Sequence, residues 1–170
     1  NATGIQQLAN LGGALTVTNV SSASNGVIYL SSGTFTTAGT ADLVGPVNHN
    51  TGTWQLNTPI NINTYNLTNA ELRGANCVIT NLNWRGGSLN SDALGNTTTI
   101  PAGGTLNIFS ATAKTLSYYV APGRTLINHG TATWSGAGIT GQGGATINNT
   151  GSLTLNDDSA FVWGSAGNAP

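Results

Sequence analysis

The chain has 170 residues, of which only 5% are charged, and a formal net charge of −1. Its four basic side chains, Arg73, Arg85, Lys114 and Arg124, are too few for a phosphate-tracking stripe or a polybasic lipid site, so nucleic acid and anionic membrane surfaces are excluded as partners. No apolar run is long enough to insert in a bilayer as a helix, and a hydrophobic content of 38% suffices for one continuous core.

The chain opens on Asn1 without an initiator methionine or a signal-peptide pattern, as expected of a processed or excised segment. Ile5, Leu8 and Leu11 fall at helical spacing, Thr3 stands three positions before Gln6, and Gly12-Gly13 can stop a helix. The pattern predicts a short capping helix over residues 4–10, within an N-terminal cap of residues 1–13. Such a helix would cover the open end of a stack of strands. Next come alternating, β-branched runs at residues 14–20, 27–30 and 33–36, separated by Ser, Asn and Gly turns. The segment 91–96 reads as an exposed loop. Cys77, the only cysteine, lies in a strand-like run and reads as a small buried hydrophobe; an intermolecular disulfide or a reactive thiol is the alternative.

From Gly103 onward the sequence repeats itself. Gly103-Gly104-Thr105-Leu106-Asn107-Ile108 is followed by Gly123-Arg124-Thr125-Leu126-Ile127-Asn128 and by Gly143-Gly144-Ala145-Thr146-Ile147-Asn148. A period near twenty, built from short β-prone runs punctuated by Gly and Asn, predicts a β-solenoid of about seven or eight coils. Its single domain fills residues 1–170, with 164–170 as a C-terminal arm or linker. Alternation directs the aliphatics of 125–127 and 145–147 inward, which makes Ile127→Asn a severe lesion. Asn128 and Asn148 should stack as an amide ladder, and Gly103, Gly123 and Gly143 should serve the corners. Two echoes complete the pattern. Residues 47–54 match 127–134, which places His49 and His129 at equivalent positions about four coils apart. Residues 68–74 match 80–86 at a spacing of twelve, as two faces of one coil or as coils with unequal loops.

The W-x-G-[GA]-x-[LI] element at Trp84 and Trp134, the I-N-[NH]-x-G turns and the G-[GR]-x-[LT] starts resemble repeats of large secreted bacterial surface proteins. These are the right-handed parallel β-helices of the filamentous-haemagglutinin and autotransporter-passenger kind. The resemblance covers most of residues 47–157. It implies a right-handed parallel β-helix working outside the cell or on its surface as a stalk, adhesive surface or filament subunit. It supplies no catalytic residue, metal ligand or cofactor site.

The residues themselves offer little chemistry. Among the five acidic side chains, Asp157-Asp158 is the only adjacent pair, and it sits in a turn-like context. A solvated turn is favoured over a glycosidase pair, which needs two carboxyls aimed across a groove. His49 and His129 recur with the repeat and read as structural rather than as general bases or metal ligands. Arg73 fits a salt bridge to Glu71. The Thr-x-Thr pairs suggest an ice-binding face, but a register of twenty puts Gly151 and Leu153 opposite Thr131 and Thr133, which breaks the ladder.

The leading expectation is thus a non-enzymatic extracellular or cell-surface structural protein without catalytic, metal or cofactor residues. It would associate with itself or continue into further repeats. The alternatives are a carbohydrate-binding module, with Trp54, Trp84, Trp134 and Trp163 as a stacking platform for a surface glycan, or a polysaccharide-active enzyme. The apolar run 160–163 near the C-terminal end is the expected contact for self-association, with Val162→Lys as its probe.

Overall fold

The computed structural model describes residues 5–8, 13–92, 95–118 and 122–164. They form a parallel β-solenoid. The first coil holds β1 (Ile5–Leu8), β2 (Ala14–Val17) and β3 (Val20–Ser22). The second holds β4 (Val27–Leu30), β5 (Thr34–Thr37) and the start of β6 (Ala41–His49). The third runs through the rest of β6, β7 (Thr53–Leu56) and the start of β8 (Ile60–Leu67). The fourth continues through β8, β9 (Ala70–Gly74) and the start of β10 (Cys77–Trp84), and the fifth ends β10 and adds β11 (Gly87–Ser91) and β12 (Thr97–Ile100). The sixth is β13 (Thr105–Ile108), β14 (Lys114–Tyr118) and β15 (Thr125–Asn128), and the seventh is β16 (Thr131–Trp134), β17 (Ile139–Gly141) and β18 (Thr146–Asn149). An eighth begins with β19 (Ser152–Leu155) and β20 (Phe161–Trp163).

Each full coil therefore offers three strand faces. The face of β2, β5, β7, β9, β11, β14, β17 and β20 is an eight-stranded sheet. The other two faces join into one twelve-stranded sheet because β6, β8 and β10 bend round their shared corner without ending. Every strand pairing is parallel.

Alternation along each strand sends every second side chain inward, and the register stacks these side chains into columns. On one face the columns run Ile28, Val47, Tyr65, Leu82, Leu106, Ala132, Leu153 and Leu30, His49, Leu67, Trp84, Ile108, Trp134, Leu155. On the eight-stranded face, Leu15, Phe35, Trp54, Leu72, Leu89 and Leu116 follow one another. The buried members form one cluster along the rod.

Several sequence expectations change here. Ile5–Leu8 is not a capping helix: it is strand β1, parallel to β4 in the register Ile5 to Val27. The local helical spacing yields to backbone pairing with the edge of β4. The rest of the expected cap lies outside the described residues, as does the expected arm beyond Gly164.

Coil length also varies. Seventeen residues separate Tyr65 from Leu82 and twenty-six separate Leu106 from Ala132. The repeat at Gly103 and Gly123 consequently marks two faces of one coil, β13 and β15, rather than two stacked coils. From β15 to β18 the step is twenty-one, so Leu126 pairs with Ile147 and Asn128 with Asn149. The amide ladder accordingly links Asn128 Nδ2 to Asn149 Oδ1 at 2.6 Å, not to Asn148. The same shift brings Ser152 and Thr154, not Gly151 and Leu153, beside Thr131 and Thr133. At the corners, Gly103 and Gly143 have φ of 80° and 62°, where a side chain would be strained.

The frame of β15 is the main correction to the core. Leu126 is buried and points inward, whereas Ile127 faces outward between Thr99 and Asn148. Ile127→Asn should therefore cost less than about 1 kcal/mol, as at other positions outside the core. Leu126→Asn should melt far lower, and thermal denaturation of the two variants checks the frame.

Candidate functional site

The residues singled out in the sequence do not converge. Trp54, Trp84 and Trp134 lie in the core, at 1%, 0% and 5% exposure. Their indole N–H groups are directed to Thr37 Oγ1 (2.8 Å), Gly87 O (3.4 Å) and Ala137 O (3.5 Å). In the W-x-G-[GA] element the Trp thus fills an inward column and turns its N–H toward the backbone three residues on, a structural use of the motif. Trp163, half-buried, stacks on Gly141 in the last coil. Stacking a sugar on three of these rings would require the coils to separate, so the tryptophans form no surface platform.

His49 and His129 are not equivalent. His49 is an inward residue of β6, between Leu30 and Leu67, with Nδ1 2.7 Å from Tyr65 Oη. Burial lowers its pKa to about 4, against an opposing effect of hydrogen bonds to the backbone of Thr51 and Gly52. His129 follows β15 at an exposed corner, with Nδ1 2.6 Å from Thr150 Oγ1. The matching strings around them belong to different faces.

Asp157 is committed to its turn. Its Oδ1 accepts the Ser159 N–H at 2.9 Å and the Ser159 hydroxyl, and its Oδ2 accepts the Gly136 N–H. The Ser159 hydroxyl first, and then the Gly136 N–H, hold its carboxyl below the usual range. Asp158 lines the same open cleft, of about 700 Å³, beside Ala111, Gly138 and Val162. Arg73 lies 3.9 Å from Glu71, the expected ion pair, and donates to Gln55 Oε1 at 2.6 Å. Cys77 is buried, also as expected, with Sγ 3.4 Å from both Thr98 Oγ1 and an Arg124 nitrogen.

A different set of residues does converge, on one groove. Asn48, Asn66, Asn83 and Asn107 occupy one outward column on consecutive coils, in β6, β8, β10 and β13. Asn66 Nδ2 donates to Asn48 Oδ1 at 2.7 Å; Asn83 donates to Asn66, and Asn107 to Asn83, each at 2.8 Å. Thr133 Oγ1 closes the row on Asn107 Oδ1 at 3.0 Å. Each step spends one amide N–H, which leaves half-exposed Asn66 and Asn83 a second N–H and an oxygen lone pair to offer.

The next column, at the corner, is Asn50, Thr68, Arg85 and Phe109, each bonded through its backbone N–H to the coil beneath. Asn48, Asn66 and Asn83 of the first column and all four residues of the second line a groove of about 470 Å³ along the rod axis. The Arg85 guanidinium lies 5.0 Å from the centre of the Phe109 ring, which restrains an otherwise exposed cation. No carboxylate lines the groove, and among the described residues Arg85 has no carboxylate partner.

Sequence reasoning missed this row because the coils that carry it have unequal lengths. The signal was present as a triplet: Val47-Asn48-His49, Tyr65-Asn66-Leu67, Leu82-Asn83-Trp84 and Leu106-Asn107-Ile108. Each places a polar residue outward between two inward ones.

Neither a protein-family model, nor a curated protein, nor a solved structure matches the chain.

Proposed function

We propose that the chain is a non-enzymatic structural module of a secreted or cell-surface protein, and that it stacks end to end with a second copy of itself into a rod. The open last coil carries this reading. Leu153 and Leu155 point inward on β19, yet are 40% and 54% exposed, whereas Ala132 and Trp134 beneath them are 1% and 5% exposed. Phe161 stands over buried Ile139 in the same way. Among the described residues no side chain continues their columns, and the outer backbone edges of β18, β19 and β20 pair with no strand.

At the other end β1, β2 and β3 each pair on one side only among the described residues, and Leu15 is 39% exposed. All strands run in one direction, so the free edge at one end has the polarity that the free edge at the other requires. Head-to-tail contact of this kind propagates rather than closes. A net charge of −1 puts little repulsion in its way. The resemblance of the Trp84 and Trp134 motifs to surface-protein repeats supports an adhesive stalk or filament as the setting.

Val162 faces outward beside Thr140, so Leu155 is the better place for a lysine to meet the incoming coil. The average mass of the wild type in sedimentation should rise with concentration through the micromolar range, and that of Leu155→Lys should not. A wild type that stays monomeric throughout refutes end-to-end assembly.

A further inference from the structure

We propose that the groove between the Asn48, Asn66 and Asn83 amides and the Arg85 corner binds a linear acidic glycan lying along the rod axis. The groove crosses coils three to six, away from both ends, so the inference does not depend on end-to-end assembly.

The chemistry of the lining selects the ligand. The amide row presents the same donor and acceptor pair at every coil, a step of about 4.8 Å. Asn50 and Thr68 add polar groups on the opposite wall. Such a row suits a polymer that presents hydroxyls at a similar step, close to one sugar ring per coil. An extended peptide repeats its side chains on one face at about 6.6–6.8 Å and falls out of step. It also gains no backbone bonds here, because β6, β8, β10 and β13 are each paired on both sides. A nucleic acid would need more than the one cation that lines the groove.

Arg85 sets the charge. Its guanidinium has no competing carboxylate in the groove, and stacking on Phe109 restrains it before a ligand arrives. A planar fork held in this way suits a carboxylate or a sulfate. The assignment is therefore to a glycan whose anionic group meets Arg85 while its hydroxyls follow Asn83, Asn66 and Asn48.

Calorimetric titration of the 170-residue chain tests this with three probes: hyaluronan oligosaccharides for carboxylate, dextran sulfate oligosaccharides for sulfate, and cellohexaose as a neutral control. At least one acidic probe should bind about tenfold or more tightly than cellohexaose, the discrimination of one charge-assisted bond. Arg85→Gln should lose about tenfold or more of that affinity while melting like the wild type, since Arg85 is exposed and forms no salt bridge among the described residues. Arg85→Lys should fall between the two. Asn50→Ala, on the rim and outside the amide row, should weaken binding without changing the melt. Binding of carboxylate but not sulfate, or the reverse, identifies the anion. If neither acidic probe binds, if cellohexaose binds as tightly, or if Arg85→Gln binds like the wild type, the assignment is overturned.

Discussion

Arg124→Met should destabilise the solenoid by about 4 kcal/mol or more, the largest loss expected from any single substitution outside the aliphatic columns. The side chain is fully buried, and all five of its N–H groups have acceptors. Nε donates to Thr98 Oγ1 at 2.7 Å; one terminal nitrogen donates to Gly74 O (2.9 Å) and Asn90 O (2.7 Å), the other to Ala75 O (2.8 Å) and Thr97 O (3.0 Å). These acceptors belong to the two coils beneath, so one residue ties three coils together at a corner. Methionine fills much of the volume but leaves four carbonyls and a hydroxyl without these donors, each worth about 1–3 kcal/mol if it stays dry. Arg124→Lys keeps the charge but has three donors in place of a five-donor fork, and should recover only part of the loss.

Solenoids can open in segments, so a global melt alone is a blunt measure. Cys77 offers a local one: it is the only cysteine, it is buried, and its Sγ lies 3.4 Å from Arg124. Thiol labelling should be slow in the wild type and much faster in Arg124→Met under native conditions. Equal labelling rates together with an unchanged denaturation midpoint would show that the arginine is dispensable.

Arg124 also shows what the sequence could and could not reveal. The Gly, Asn and β-branched periodicity made the parallel β-solenoid and its number of coils legible, because every coil needs the same alternation and similar corners. Face assignment was not legible. Gly103-Gly104-Thr105-Leu106 and Gly123-Arg124-Thr125-Leu126 look like successive coils, yet they are two sides of one coil, since each face asks for the same turn-then-strand string. Frame was lost for a related reason. In Leu126-Ile127-Asn128 the inward positions are Leu126 and Asn128, and hydrophobicity alone favours Ile127 over Asn128.

Buried polar residues were the least legible. Arg124, His49 and Asn128 sit in the interior because partners from other coils, distant in sequence, satisfy them, whereas buried Lys114 is satisfied locally. Lys114 reaches the carbonyls of Ser110 and Thr112 at 3.1 and 3.0 Å, and burial lowers its pKa. The amide row of the groove was hidden likewise by unequal coils, although its triplets are visible once the faces are known.

The interior histidine gives the second large effect, an acid-dependent loss of stability. His49 has a folded pKa of about 4 against an ordinary value of 6.5, because burial disfavours its charged form. Below pH 6.5 the unfolded chain takes up a proton that the folded chain refuses, so stability falls as pH falls. The loss continues to about pH 4, where the folded histidine titrates too, and it levels off below that. The interval corresponds to about 3 kcal/mol at 1.36 kcal/mol per pKa unit. Asp157, whose carboxyl is held below the ordinary 3.8, adds its own loss only at lower pH.

His49→Leu extends the aliphatic column of Leu30 and Leu67 and removes the titrating group, but it strands the hydroxyl of Tyr65, a side chain with 0% exposure. The single variant should be less stable than the wild type at pH 7 and nearly flat from pH 6.5 to 4. Adding Tyr65→Phe removes the stranded hydroxyl and should recover much of that loss at pH 7. By pH 4 the double variant should be more stable than the wild type. Urea denaturation at pH 7, 5.5 and 4 gives the comparison. A double variant that loses stability with acid as steeply as the wild type would place the acid sensitivity elsewhere than in the His49–Tyr65 pair.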